Sequence, residues 1–120
     1  MKQTIVPDFD GVIHSYTSGW KGADNIPDLP TAGSREAIAK MREQYTVVVV
    51  SSRCHQPGGI EAIQAWLSKH RIEVDRVSND KPPHIVVVDD RAIRFTGCWE
   101  AVIKSIPEAS IPWNKKSDQP

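Results

Sequence analysis

Two runs of β-branched residues without a polar interruption, TVVVV at 46–50 and IVVV at 85–88, restrict this chain more than any other feature. A strand with one face in water alternates apolar and polar residues, so a run that is apolar throughout belongs to a strand covered on both faces. A third apolar stretch at residues 3–7 reads as a short buried strand, although Pro7 lacks the N–H that a central strand donates. Helical spacing fills the intervals. Ala37, Ile38 and Met41 predict a helix over 34–44 with Ser34 as its N-cap, and Ile60, Ile63, Trp66 and Leu67 share one face of a second. IEVDRV at 72–77 alternates like a partly exposed strand, IRF at 93–95 reads as a short edge strand, and 98–105 as a short last helix. Strands alternating with helices imply βαβ units, hence an α/β, Rossmann-like parallel sheet of four to five strands flanked by helices on both faces.

With 120 residues the chain has room for one domain, 1–120, with a long loop over 14–30 and a Pro-rich tail over 106–120. Loops of that length inside a compact domain are usually functional. Fifteen basic residues balance fifteen acidic ones, so no global field draws the chain to nucleic acid or to a membrane surface. No basic stripe follows a nucleic-acid backbone, which still leaves a terminal phosphate as a ligand. The start shows no apolar signal region and no run approaches the ~20 residues of a membrane span. Cys54 and Cys98 make no zinc spacing, and free thiols fit a reducing, cytoplasmic setting.

Each apolar run ends in a polar cluster: Asp8 and Asp10 after the first, Ser51, Ser52 and Arg53 after the second, Asp89, Asp90 and Arg91 after the last. In a parallel sheet all carboxyl ends lie on one edge, where open α/β sheets bind their ligands. Lys81, in the loop before the last strand, is a candidate to reach the same edge. Clustered carboxylates without cysteine or paired histidines favour Mg²⁺ over Zn²⁺. Phosphoryl transfer needs positioning and charge neutralisation, which a metal and a lysine supply, and an aspartate serves as nucleophile in such reactions.

DFDGV, VVVVSSR, DKPP and IVVVDDR, in that order over residues 4–95, resemble the four motifs of the haloacid dehalogenase-like superfamily, most of whose members are Mg²⁺-dependent phosphatases on a Rossmann-like sheet. DFDGVIHSYTSGW with SSR and DDRAIRF further resembles small phosphatase-like members common in phages and bacteria. The resemblance implies a phosphomonoester hydrolase with Asp8 as nucleophile and metal ligand. It implies Asp10 as acid and then base, with its backbone carbonyl on the metal and a pKa above its partner's. Ser51 would bind the phosphate, Lys81 would neutralise the nucleophile and the phosphoryl group, and Asp89 and Asp90 would complete the Mg²⁺ site, with Asp90 the more direct ligand. The substrate would be a nucleotide, the phosphorylated end of a nucleic acid or another small phosphate ester. There is no room for a large cap domain, so 14–30 alone would act as a partial lid.

Other readings stand beside these. Asp8 and Asp10 also suit a solvated turn with Gly11, and Ser51 a loop cap. Arg53 and Arg91 suit either an anionic substrate or loop tying, and His14 either substrate contact or packing. Trp66 and Trp99 read as core, while Trp20 either packs its loop or offers a face to a base or sugar. A non-catalytic phosphate- or nucleotide-binding module is the alternative to the enzyme. A receiver-like phosphoacceptor is set aside, because its acceptor aspartate ends a later interior strand.

Overall fold

The computed structural model describes residues 1–118. They form two compact units, one over Met1–Val88 and the other beginning at Asp89. The first carries a parallel four-stranded sheet of β1 (Thr4–Pro7), β2 (Thr46–Val50), β3 (Arg76–Ser78) and β4 (Val86–Val88), in the order β3-β2-β1-β4. Helix α1 (Ser34–Arg42) links β1 to β2, and α2 (Gly59–Lys69) links β2 to β3. The residues of 79–85 cross from one edge of the sheet to the other without a helix.

Both crossover helices pack on the same face of the sheet. Val47 and Val49, which share one side of β2, lie in a single cluster with Ile38 of α1 and with Ile63, Trp66 and Leu67 of α2. Phe9, Ile13, Cys54, Ile72 and Val77 complete this core. Val48, pointing the other way, is equally buried, so β2 is covered on both faces as its unbroken apolar run predicts.

β4 departs from the same expectation. It is an edge strand, and Val86 and Val88 remain 48% and 41% exposed. Its register with β1 (Ile5↔Val86, Pro7↔Val88) turns these two side chains to the helix-bearing face, where an open apolar groove lined by Pro7, Ile38, Met41 and Val88 marks the limit of α1's cover. Residue type alone does not distinguish an edge position from a central one.

The register also accounts for Pro7. Successive N–H groups on a strand point to opposite sides. The Asp8 N–H donates to the Val88 carbonyl at 2.8 Å, so position 7 faces β2, where the last ladder pair is Ile5 with Val47. The missing donor falls where the ladder has already ended.

Asp75 fixes the start of β2. Its carboxylate accepts the Val47 N–H at 2.7 Å and two bonds from the Arg42 guanidinium. Ser34 is not the cap of α1: Gly33 takes that position with a left-handed φ of 80°, and the Ser34 hydroxyl has no side-chain role there. Glycine adopts this backbone without the Cβ penalty.

The second unit holds α3 (Trp99–Ala109) and a 3-10 turn (Trp113–Asp118). IRF forms no strand. α3 is longer than the sequence predicts and runs through Pro107, in its last turn, so part of the expected 106–120 tail is helical; residues 119–120 lie outside the described residues. Trp99, read from the sequence as core, is 71% exposed, and Ile103 and Ile106 are exposed on the same helix. No helix among the described residues is long and apolar enough to cross a membrane.

Candidate functional site

The register brings the carboxyl ends of the strands to one edge, since Pro7 pairs with Val88 and Val50 with Ser78. Asp8 follows β1 directly and is half-buried. β1 lies between β2 and β4, so the order of strands reverses across it, and such a reversal opens the crevice in which α/β sheets bind ligands. The chain runs on from Val88 into Asp89 and Asp90.

After Asp8 the backbone turns. The Phe9 carbonyl accepts the N–H groups of Val12, Ile13 and His14, and Gly11 supplies a φ of 83°. Phe9 is fully buried, stacked on His14 and edge-on to Trp66. Asp10 is held from two directions: Oδ1 meets His14 Nδ1 at 2.8 Å and Oδ2 accepts from Arg53 Nε at 2.8 Å. His14 is fully buried and its Nε2 accepts the Asp28 N–H at 3.1 Å. A lone pair on Nε2 places the ring proton on Nδ1, which donates to Asp10.

Arg53 is the hub of this arrangement. Its side chain is fully buried, and besides Asp10 its Nη1 donates to the carbonyls of Gly22, Ala23 and Asn25 at 2.8, 3.1 and 3.3 Å. Of the two roles open to it in the sequence, loop tying is the one these bonds display, while Nη2 is buried without a hydrogen-bond partner among the described residues. His14, equally buried, packs and bonds rather than meeting solvent. Ser51 is buried at the end of β2 and its hydroxyl accepts the Arg53 N–H at 3.2 Å, the capping role weighed for it above. Gly59 lies so close beneath Arg53 that a Cβ there would stand 1.8 Å from the Arg53 carbonyl oxygen.

The loop over 14–30 is therefore fastened along its length. Its ends meet through the Ser15 N–H to the Leu29 carbonyl and the Thr31 N–H to the Ile13 carbonyl. Asp28 accepts from the Ser18 N–H and hydroxyl, and its carbonyl accepts the Trp66 indole N–H at 3.0 Å. These bonds tie the loop to its own base and to α2. Asp28 and Gly59 carry no local motif, and the spacing of Trp66 pointed to core without disclosing its hydrogen bond.

Burial is the largest influence on Asp10 and would raise its pKa, but the bonds from His14 and Arg53 and the Arg53 charge bring it below the ordinary carboxylate value. Lys81 is exposed in the 79–85 crossover, outside the hydrogen-bonded cluster. In the second unit Asp89 and Arg91 are exposed, with the Arg91 N–H donating to Asp89 Oδ1 at 3.1 Å. Asp90 is half-buried, and burial, with the neighbouring Asp89 charge, raises its pKa.

Asp28 and Asp75 resemble Asp10: burial opposes ionisation, yet the bonds from Ser18 and from Arg42 with the Val47 N–H outweigh it. Each folded value lies below the unfolded value of ~3.9, so the stability each contributes is complete above pH ~4 and is lost as pH falls through the lower folded values. Asp90 acts with the opposite sign, one carboxyl against Asp10, Asp28, Asp75 and the exposed Glu36. Urea midpoints are expected to fall modestly as pH drops below ~6.5, because burial and the Lys69 charge lower the His70 pKa, and to fall steadily below pH ~4. A midpoint unchanged down to pH ~3 would contradict these pairings.

Comparison with family models, with curated proteins and with solved structures gives no match for this chain.

Proposed function

We propose that this protein is a Mg²⁺-dependent phosphomonoester hydrolase of the haloacid dehalogenase-like type, acting through an aspartyl phosphate on Asp8. The observation that carries this reading is the position of Asp8, at the carboxyl end of the strand where the sheet order reverses. In the first step an Asp8 carboxylate oxygen attacks phosphorus as the ester oxygen departs. In the second, water attacks the aspartyl phosphate, Asp10 accepts its proton, and inorganic phosphate leaves.

Asp8 and the Asp10 carbonyl in the first unit, and Asp89 and Asp90 in the second, are the oxygen ligands that the resemblance implies for the metal. The donor chemistry fits a hard cation, and Asp90 Oδ1 is a buried carboxylate oxygen without a hydrogen-bond partner among the described residues. Bound Mg²⁺ supplies charge neutralisation at the transferring phosphoryl group. Lys81 would add to that neutralisation, Arg91 would contact the substrate, and the Ser51 hydroxyl, which accepts from the Arg53 N–H, would donate its own proton to a phosphate oxygen. The substrate is a small phosphate ester or the phosphorylated end of a larger molecule.

The ionised Asp10 matches the base role better than the acid role. Esters whose leaving group departs without a proton are then the better substrates. With Mg²⁺, phosphate release from an aryl phosphate is expected to exceed that from an alkyl phosphate at least ~10-fold, a general-acid contribution being worth ~10²–10⁴. A chelator should abolish release and added Mg²⁺ restore it. Release indifferent to the chelator, or none from either ester, would overturn the proposal.

One observation favours a second reading, a non-catalytic phosphate- or nucleotide-binding module. Both Asp10 carboxylate oxygens are already engaged. That reading predicts binding of phosphate mimics without turnover of any ester.

A further inference from the structure

Trp20 stands apart from the other aromatic residues of the first unit. Phe9 and Trp66 are built into the core, yet Trp20 is 46% exposed on a loop that is otherwise tightly fastened. The Arg53 guanidinium carbon lies 4.8 Å from its ring centroid, a cation–π contact that covers one face of the indole. Gly19, at a φ of 75° with open space around its Cβ position, makes the bend that brings Trp20 to this place. Beyond it, the Arg53 bonds to Gly22, Ala23 and Asn25 hold the chain. The ring is thus an aromatic platform clamped from beneath, with about half of its surface contributing nothing to the core.

Its position relates it to the proposed site. Arg53 Nε touches Asp10 Oδ2, so the 2.8 Å bond, one N–C bond of ~1.3 Å and the 4.8 Å stacking distance together bound the ring centre to within roughly 9 Å of the Asp10 carboxylate. The open face is the one turned away from Arg53, so a stacked base lies ~3.5 Å beyond the ring, and its sugar and phosphate would reach the turn around the ring edge. Lys21, next to Trp20 in the chain, is exposed.

We infer that Trp20 is a stacking platform for the base of a nucleoside phosphate whose phosphate group lies at the Asp8–Asp10 turn. The inference rests on the phosphate-site reading and names its substrate class. An aromatic face recognises any base by stacking, without a basic track along a polymer, which agrees with the balanced charge of the chain. The shared chemistry is that of a free mononucleotide and of the phosphorylated terminal nucleotide of an oligonucleotide.

The test compares adenosine 5′-monophosphate with ribose 5-phosphate on wild type, Trp20→Leu and Trp20→Phe, by kcat/KM where the ester is turned over and by calorimetric Kd where it is not. Base stacking sets the expected preference of wild type for the nucleotide at roughly 5- to 150-fold. Trp20→Leu, which keeps apolar bulk, should collapse that ratio toward one, and Trp20→Phe should retain most of it. Urea unfolding of each variant separates a lost fold from a lost platform. Equal handling of the two ligands by wild type, or a ratio unmoved by Trp20→Leu in a folded protein, would overturn the inference.

Turnover of both esters at equal efficiency would leave the phosphatase reading standing and remove the platform. A nucleotide preference in binding with no turnover would do the reverse. A 5′-phosphorylated oligonucleotide ending in the same nucleotide distinguishes the sources: handling better than the mononucleotide marks a nucleic-acid end, and handling no better marks the free nucleotide. Both results support the platform.

Discussion

Replacing Arg53 with methionine is expected to destabilise the protein by about 2–4 kcal/mol and to loosen the loop over 14–30. Methionine matches much of the side chain's length but removes the bond to Asp10 and the anchors to three carbonyls of that loop. Breaking one half of a buried ion pair costs about 3–5 kcal/mol, because the remaining charge stays without its partner. The estimate is reduced here because the Asp10 side chain is 17% exposed and keeps its bond to His14. Arg53→Lys should recover little, since one ammonium cannot reproduce the planar fork that meets a carboxylate on one side and carbonyls on another. The double variant Arg53→Met/Asp10→Asn should be less destabilised than the sum of the two single changes, because the orphaned charge is gone. Urea unfolding reads the first effect, and amide hydrogen exchange across 14–30 reads the second. An Arg53→Met protein within ~0.5 kcal/mol of wild type, the range of ordinary surface changes, would show that the hub contributes little.

What could be read from the sequence divides along a physical line. Features fixed by local pattern appear where the pattern puts them. TVVVV is a strand buried on both faces, the Ile60, Ile63, Trp66 and Leu67 spacing is the inner face of α2, and the polar clusters fall at strand ends. Features fixed by partners distant in the chain do not. Arg53 meets Asp10 across forty-three positions, and nothing in SSR announces it. Burial would raise the Asp10 pKa, and its bonds to His14 and Arg53 bring it below the ordinary value, a balance that its motif does not announce. Trp99 and the β4 valines are apolar residues in solvent, and hydropathy alone reads them as core. Pro7 lies between these cases: the sequence raised the question of its missing donor, and only the register answered it. Ser34 and Gly33 are adjacent, and backbone handedness decided which of them caps α1.

Asp8→Asn carries the largest effect expected on activity. The change conserves shape while replacing the attacking carboxylate oxygens with an amide, so binding geometry is kept and nucleophilicity is lost. Losing a nucleophile that works as one unit with its site costs on the order of 10⁴-fold or more in turnover. Asp8 is only half-buried, and its backbone N–H, which donates to the Val88 carbonyl, is untouched by a side-chain change, so the fold should tolerate the substitution within ~1 kcal/mol. That separation is what makes this variant decisive, because a loss of activity cannot then be assigned to unfolding. The most direct measurement is phosphate release from an aryl phosphate in the presence of Mg²⁺, for wild type and for Asp8→Asn at matched folded concentration. Robust release by wild type with loss of at least ~10³-fold in the variant is the predicted result. Equal release by the two proteins would contradict a nucleophilic Asp8.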